Sequence, residues 1–442
     1  MEVEMRRRFT RDDLLPSLVS ACLWPLRDPQ AVQHLLASGS LTVALLGLGG
    51  FALGQSPPPV KSSASSEHAG HDHAGHEHLD GGQSLEELVE IVTPQTDEFK
   101  RACDALREHL KVMRAEMVNY HVGESVLEDR QAKERWPQLL AEGTQLHQAM
   151  MEAALIEYKL NPAERTDLAG MFARHLSRGY ELDRFEGLVP IGQALLENGY
   201  GNEDMLRYMA IAAFSVNEYD VALPYLQKLV ETGQVGPELA ITIQNYDLVK
   251  ATWEREVKLR AEDAAGEPLP RVLMKTTKGN MEIELFENQA PEAVANFIHL
   301  IEQGFYDNLT FHRVLEHFMA QGGCPQGDGQ GGPGYFIRNE ADEPDARHFF
   351  RGTLGMAIAQ ERNTAGSQFF ITFLPTPELN GSYTAFGRVI KGIEVLSNII
   401  RRNPDEEKKD KTAAAVMPDE IISIEVLYKR DHEYTPNKLP QK

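Results

Sequence analysis

The sequence predicts a multidomain chain in which an all-α region with helical repeats is followed by a closed β-barrel carrying two capping helices. Three observations predict this. The chain has 442 residues, more than one ordinary hydrophobic core organises. Apolar residues recur three or four positions apart through residues 83–260 and alternate with polar ones after residues 261–270, a change from the period of a helix to that of a half-buried strand. Within the first region, residues 181–199 can be laid over residues 215–233, the self-similarity expected of stacked helical units.

Residues 1–54 read as an export signal or membrane anchor. Arg6, Arg7 and Arg8 lie well upstream of an uncharged apolar run from Leu35 to Gly54. Ala52-Leu53-Gly54 gives small residues at the spacing of a cleavage site near Gln55; left uncleaved, the same run is long enough to cross a hydrocarbon core of ~30 Å. Either reading places the rest of the chain outside the cytoplasm, periplasmic or secreted. Residues 55–82 are a Pro-, Ser-, Gly- and His-rich linker that buries too little apolar surface to fold. Inside it, His68, His71, His73, His76 and His78 form an imidazole-dense tract, either a weak site for zinc, nickel or copper or a polar spacer.

Residues 83–260 form the helical domain. Phe99, Cys103, Leu106, Leu110, Met113, Met117 and Tyr120 make one stripe. Trp136, Leu139, Leu140, Leu146, Met150, Ala154 and Tyr158 make a second, closed by Asn161-Pro162. Two long helices packed as a hairpin would bury both. In the overlaid segments Phe185 falls on Tyr219, Pro190 on Pro224, Gln193 on Gln227 and Gly199 on Gly233, 34 residues on. That period, with Asn-Glu-Tyr-Asp-Val-Ala-Leu at 217–223, resembles the tetratricopeptide repeat. Two such units need capping helices, which the hairpin before them and Leu239–Lys258 after them would supply. The region either docks a protein partner or spaces the domain that follows.

After the linker at 261–270, Val272–Thr276 and Met281–Phe286 read as strands joined across Lys278-Gly279. Pro291 opens a helix with Val294, Phe297, Ile298 and Ile301 on one face, and Gly304 stands where it stops. Phe311–Leu315, Gly352–Ala359, Gln368–Thr372 and Ala385–Ile390 follow as strands, then a short helix near Ile393–Ile400 and a closing strand Ile421–Tyr428. Many short strands with two helices fit a barrel whose closure removes exposed edges. Residues 431–442 are a tail.

The functional signal lies in two strings, Phe311-His-Arg-Val-Leu-Glu-His-Phe-Met-Ala-Gln-Gly-Gly323 and Gly366-Ser-Gln-Phe-Phe-Ile371. Together they resemble the active-site signature of the cyclophilins, and the resemblance extends over residues 271–430. It implies a peptidyl-prolyl cis-trans isomerase (rotamase) with Arg313 as the catalytic arginine, assisted by Phe318 and Gln321. It further implies that Met319, Phe370 and Leu379 line a proline pocket with Phe318, that Gln368 and Tyr383 border it, and that Ala357, Ile358 and Ala359 pair with substrate backbone. Ile358 stands where the family usually has asparagine, and Glu378 where a tryptophan is associated with tight cyclosporin binding, so strong cyclosporin inhibition is not expected.

The substrates expected are proline-containing peptides or proteins, exported ones in particular. The alternative is a non-catalytic scaffold that only holds such segments. No cofactor is implied, and the chain is expected to act as a monomer. With 66 acidic against 44 basic residues and a net charge of -22, it has no basic footprint for nucleic acid. Cys22, Cys103 and Cys324 are far apart and lack CxxC spacing, which indicates neither a disulfide framework nor a thiolate zinc site.

Overall fold

A computed structural model describes residues 92–122, 126–235, 237–407 and 417–441. The expected export segment, the linker and its histidine tract lie outside these residues. Among the described residues no helix is long and apolar enough to cross a membrane.

The two apolar stripes become α1 (Asp97–Val122) and α2 (Val126–Leu160), packed on each other. Phe99, Cys103, Leu106, Leu110 and Met113 are buried from one side, and Leu139, Met150, Ala154 and Tyr158 from the other. Next come α3 (Thr166–Glu181) with α4 (Leu188–Glu197), and α5 (Glu203–Ser215) with α6 (Tyr219–Glu231). Left-handed backbone occurs at Asp183 and Gly199 in the first pair and at Asn217 and Gly233 in the second, matching the offset of the overlay. The pairs are not identical, because left-handed Gly187 delays the start of α4. The predicted capping segment is two helices, α7 (Pro237–Gln244) and α8 (Tyr246–Ala265). Tyr246 and Val249 of α8 complete the core of these two pairs, and α8 continues to Ala265 through residues read as linker.

The second half is one antiparallel sheet of nine strands, in the order β3-β9-β1-β2-β8-β6-β7-β5-β4. The strands are β1 (Arg271–Thr276), β2 (Gly279–Leu285), β3 (Leu309–Thr310), β4 (Arg313–Leu315), β5 (Met319–Gly322), β6 (Thr353–Met356), β7 (Phe369–Thr372), β8 (Ala385–Lys391) and β9 (Glu420–Tyr428). Helix α9 (Pro291–Glu302) fills the concave side with Val294, Phe297, Ile298 and Ile301, and α10 (Ile393–Asn398) adds Val395 and Leu396.

The expectation of a closed barrel is corrected: the sheet curls but stays open. Its edge strands β3 and β4 are only two and three residues long and are joined through Phe311-His312, so they meet at a corner with no ladder between them. The β4 edge is covered instead by reciprocal backbone bonds of 2.8 Å between Val314 and Arg402, which satisfies groups that closure would have paired.

Candidate active site

Strand pairing aligns one residue from each of five strands. Arg313 on β4 is opposite Gln321 on β5, Gln321 opposite Phe370 on β7, Phe370 opposite Gly355 on β6, and Gly355 opposite Ala385 on β8. Successive side chains on a strand point to opposite faces. The neighbours Val314, Ala320, Phe369, Leu354 and Phe386 accordingly enter the main core, and the row itself lies on the other face of the sheet.

On that face a second, smaller apolar cluster forms from Met319, Phe349, Phe370, Leu379 and Ala385, with Leu315, Phe318, Ala357 and Tyr383 packed against it. The rings of Phe349 and Phe370 stack with centroids 5.4 Å apart, and Tyr383 meets Phe370 edge-on at 5.6 Å. Only glycine fits at 355, since a Cβ there would come within 2.4 Å of Phe370 and 2.6 Å of Phe349. The result is an apolar wall, with Leu379 supplied by a 3₁₀ turn, Pro377–Leu379.

The polar border is fixed by hydrogen bonds. Gln321 Nε2 donates to Gln368 Oε1 at 3.0 Å, while Gln368 Nε2 donates at 2.8 Å to the carbonyl oxygens of Gly329 and Gly331. Arg313 is half-buried, and no hydrogen bond or ion pair engages its side chain among the described residues. Its guanidinium is available to a ligand at the end of the row. Residues 357–359 lie beyond the end of β6. The amide hydrogens of Ala357 and Ala359 are committed to Gln368 O and Thr364 Oγ1, and Ile358 packs its side chain on the main core.

Two histidines of the first motif are structural. His312 is buried, and burial together with the Arg402 charge pushes its pKa down to about 4, keeping it neutral. His317 reaches into the helical region: its backbone N–H donates to both oxygens of Asp183 at 3.1 and 3.2 Å, and its Nδ1 lies 2.6 Å from Asp183 Oδ1. Arg401 Nη2 holds Asp183 Oδ2 at 2.8 Å. Burial raises the Asp183 pKa, but His317 and Arg401 outweigh it and the carboxyl ends below its ordinary range.

Comparison with known proteins identifies the family. Residues 271–426 match the family described as cyclophilin type peptidyl-prolyl cis-trans isomerase/CLD. A peptidyl-prolyl cis-trans isomerase of Helicobacter pylori is 48% identical over 128 residues, covering 28% of this chain and 77% of that protein. Peptidyl-prolyl cis-trans isomerase B of Bacillus subtilis is 50% identical over 119 residues, covering 27% and 82%. The chain belongs to the cyclophilin-type peptidyl-prolyl cis-trans isomerases. Among solved structures, a Cryptosporidium parvum cyclophilin determined in the presence of the dipeptide Ala-Pro is 36% identical and covers 36% of this chain and 99% of that one, with a TM-score of 0.32.

Within this cyclophilin domain the structure gathers Phe318, Met319, Phe370, Leu379 and Tyr383 into one cluster and sets Arg313, Gln321 and Gln368 along its border. It also adds residues that the sequence motifs did not single out: Phe349, Leu315 and Ala385. Phe349 lies in an irregular segment, where no period announces which way a side chain points. The only available hint was Gly355, a small residue where two large rings converge.

Proposed function

We propose that this cyclophilin isomerises X-Pro bonds in exported polypeptides, with the proline ring seated on Phe318, Met319, Phe370 and Leu379 and the Arg313 guanidinium directed at the prolyl nitrogen. The planar peptide bond resists rotation by ~18–20 kcal/mol because the nitrogen lone pair is delocalised into the carbonyl. At the twisted state that lone pair is localised, and a cation donating to it binds the transition state more tightly than the ground state. Gln321, fastened through Gln368 to the Gly329 and Gly331 carbonyls, holds the flanking peptide so that rotation occurs on one side of the bond. A reduction of about 5–7 kcal/mol in the barrier corresponds to roughly four to five powers of ten in rate. Neither a metal nor a nucleophile takes part.

The observation that carries this reading is the row Arg313–Gln321–Phe370 set beside an apolar cluster separate from the main core. The apolar run at residues 35–54 supports an extracytoplasmic setting, where the helical pairs, tetratricopeptide-like in their offset, bring the isomerase domain to protein clients during folding. The deciding measurement is the isomerisation rate of an Ala-Pro peptide by the wild type and by Arg313→Ala. Equal rates would leave a proline-binding scaffold as the better description. The histidine tract is a separate matter, tested by titrating zinc into the full chain and into a chain lacking residues 67–78; undiminished affinity rules the tract out as a metal site.

A further inference from the structure

A cavity of about 140 Å³ lies where the helical region meets the isomerase domain. One wall is Tyr180, Ile211 and Phe214, on α3 and α5; Thr242 of α7 and Asn245 just before α8 stand beside them, and His317 and Pro377 close the isomerase side. The helical residues of this lining fall outside the segment 271–426 that matches the family, so the cavity belongs to this chain's own combination of domains.

Its position relative to the proline pocket is fixed by the backbone. His317 precedes Phe318, and Pro377 and Glu378 precede Leu379, so both isomerase-side walls of the cavity continue into walls of the pocket, with successive Cα atoms about 3.8 Å apart. The two hydrogen bonds from the His317 backbone to buried Asp183 tie that shared wall to the helical region. A space of this size matches a cavity that admits benzene, which corresponds to one aromatic or branched aliphatic side chain.

We infer that this cavity is a second substrate subsite, which receives an apolar side chain lying one or two residues from the isomerised proline. The inference rests on the proposed proline pocket and gives the enzyme a substrate preference supplied by its helical region: apolar residues near proline, as in unfolded segments bound for a protein core. Bound this way, the substrate spans both domains at once.

The test uses the full chain and a peptide series with one proline, placing alanine or phenylalanine at each of the two positions on either side of it. The expected result is one position at which phenylalanine raises kcat/KM by about tenfold or more over alanine. Thr242→Trp and Asn245→Trp, each projecting bulk into the cavity from the helical side, should bring that ratio back towards one, with thermal melts reporting whether each variant is folded. Equal kcat/KM across the wild-type series, or a ratio untouched in folded variants, overturns the subsite. Calorimetric binding of the same peptides separates the two readings. If no peptide is isomerised, the catalytic reading fails, while a phenylalanine preference in affinity that the tryptophan variants abolish would still uphold the subsite.

Discussion

Phe349 and Phe350 are consecutive in the chain and enter different cores: Phe349 stacks on Phe370 in the candidate active site, whereas Phe350 packs into the helical region against Trp253 with ring centroids 4.9 Å apart. The same segment is fastened on both flanks. Arg347, fully buried, pairs with Glu256 and Asp263 of α8, and Arg351 pairs with Glu186 in the turn before α4. The helical region therefore holds a wall of the active site in place.

Phe350→Ala should destabilise the protein by about 3–5 kcal/mol through the cavity it leaves and should lower isomerase activity through its neighbour. Urea unfolding followed by Trp253 fluorescence, alongside Ala-Pro turnover, checks both; a variant with wild-type turnover would mean that Phe349 keeps its position without this anchor.

Arg313→Ala should reduce kcat/KM by about two to three powers of ten, the size of loss seen when a transition-state donor is removed. Its stability should change by no more than about 0.5 kcal/mol, since the side chain makes no partner contact to lose. A large fall in melting temperature would instead assign Arg313 a structural role.

Gly355→Ala forces a Cβ to within 2.4 Å of the Phe370 ring. Overpacking of this kind costs about 1–3 kcal/mol, and displacement of the Phe349–Phe370 stack should raise KM for proline peptides. Calorimetric melting and steady-state kinetics measure the two effects independently.

Asp183→Ala removes the buried carboxylate shared by His317 and Arg401 and leaves the half-buried Arg401 guanidinium without its charged partner, a change worth about 3 kcal/mol. Denaturant midpoints of the wild type and the variant give the value. A difference below about 1 kcal/mol would mean that water or a neighbouring carboxylate takes over.

Stability should fall as the solution is acidified from about pH 6.5 towards pH 4. His175 and His312 both have pKa values pushed down to about 4, chiefly by burial, and His147 is also driven well below its ordinary value. Because these folded-state values lie below the unfolded value near 6.5, the unfolded chain binds more protons in that window, so stability is complete above it and is lost progressively as the pH falls through it. Denaturation midpoints at half-unit steps of pH, with His312→Gln as the comparison, should show a shallower decline in the variant.

Much of this was legible in the sequence because periodicity reports burial. The α1 stripe from Phe99 to Met113, the α2 stripe from Trp136 to Tyr158, the Val294–Ile301 face of α9 and the alternation around Met281, Ile283 and Leu285 each became buried or partly buried surface as expected. What escaped was set by contacts distant in the chain. Strands β3 and β5 are too short to show a period, and the predicted Gly352–Ala359 strand stops at Met356, with one last backbone bond from Ala357 to Gln368 before the Ala359 amide turns to the Thr364 hydroxyl. Closure of the sheet could not be read either, since it depends on whether two short edges pair, and here the Arg402 backbone takes the place of a ladder. In the site, Arg313, Gln321 and Phe370 were legible through a motif, whereas Phe349 and the Asp183–His317 contact join segments with no shared pattern.

The pairing of Arg347 with α8 bears on how this enzyme can be cut. Both carboxylates that neutralise its buried guanidinium come from residues before 271, and so does the aromatic partner of Phe350. A fragment trimmed to the family-matched segment would start life with an orphaned cation and a bare phenylalanine on its surface, next to the candidate active site. Such a fragment would be prone to self-association, and kinetic constants measured on it would describe a different molecule from the intact chain.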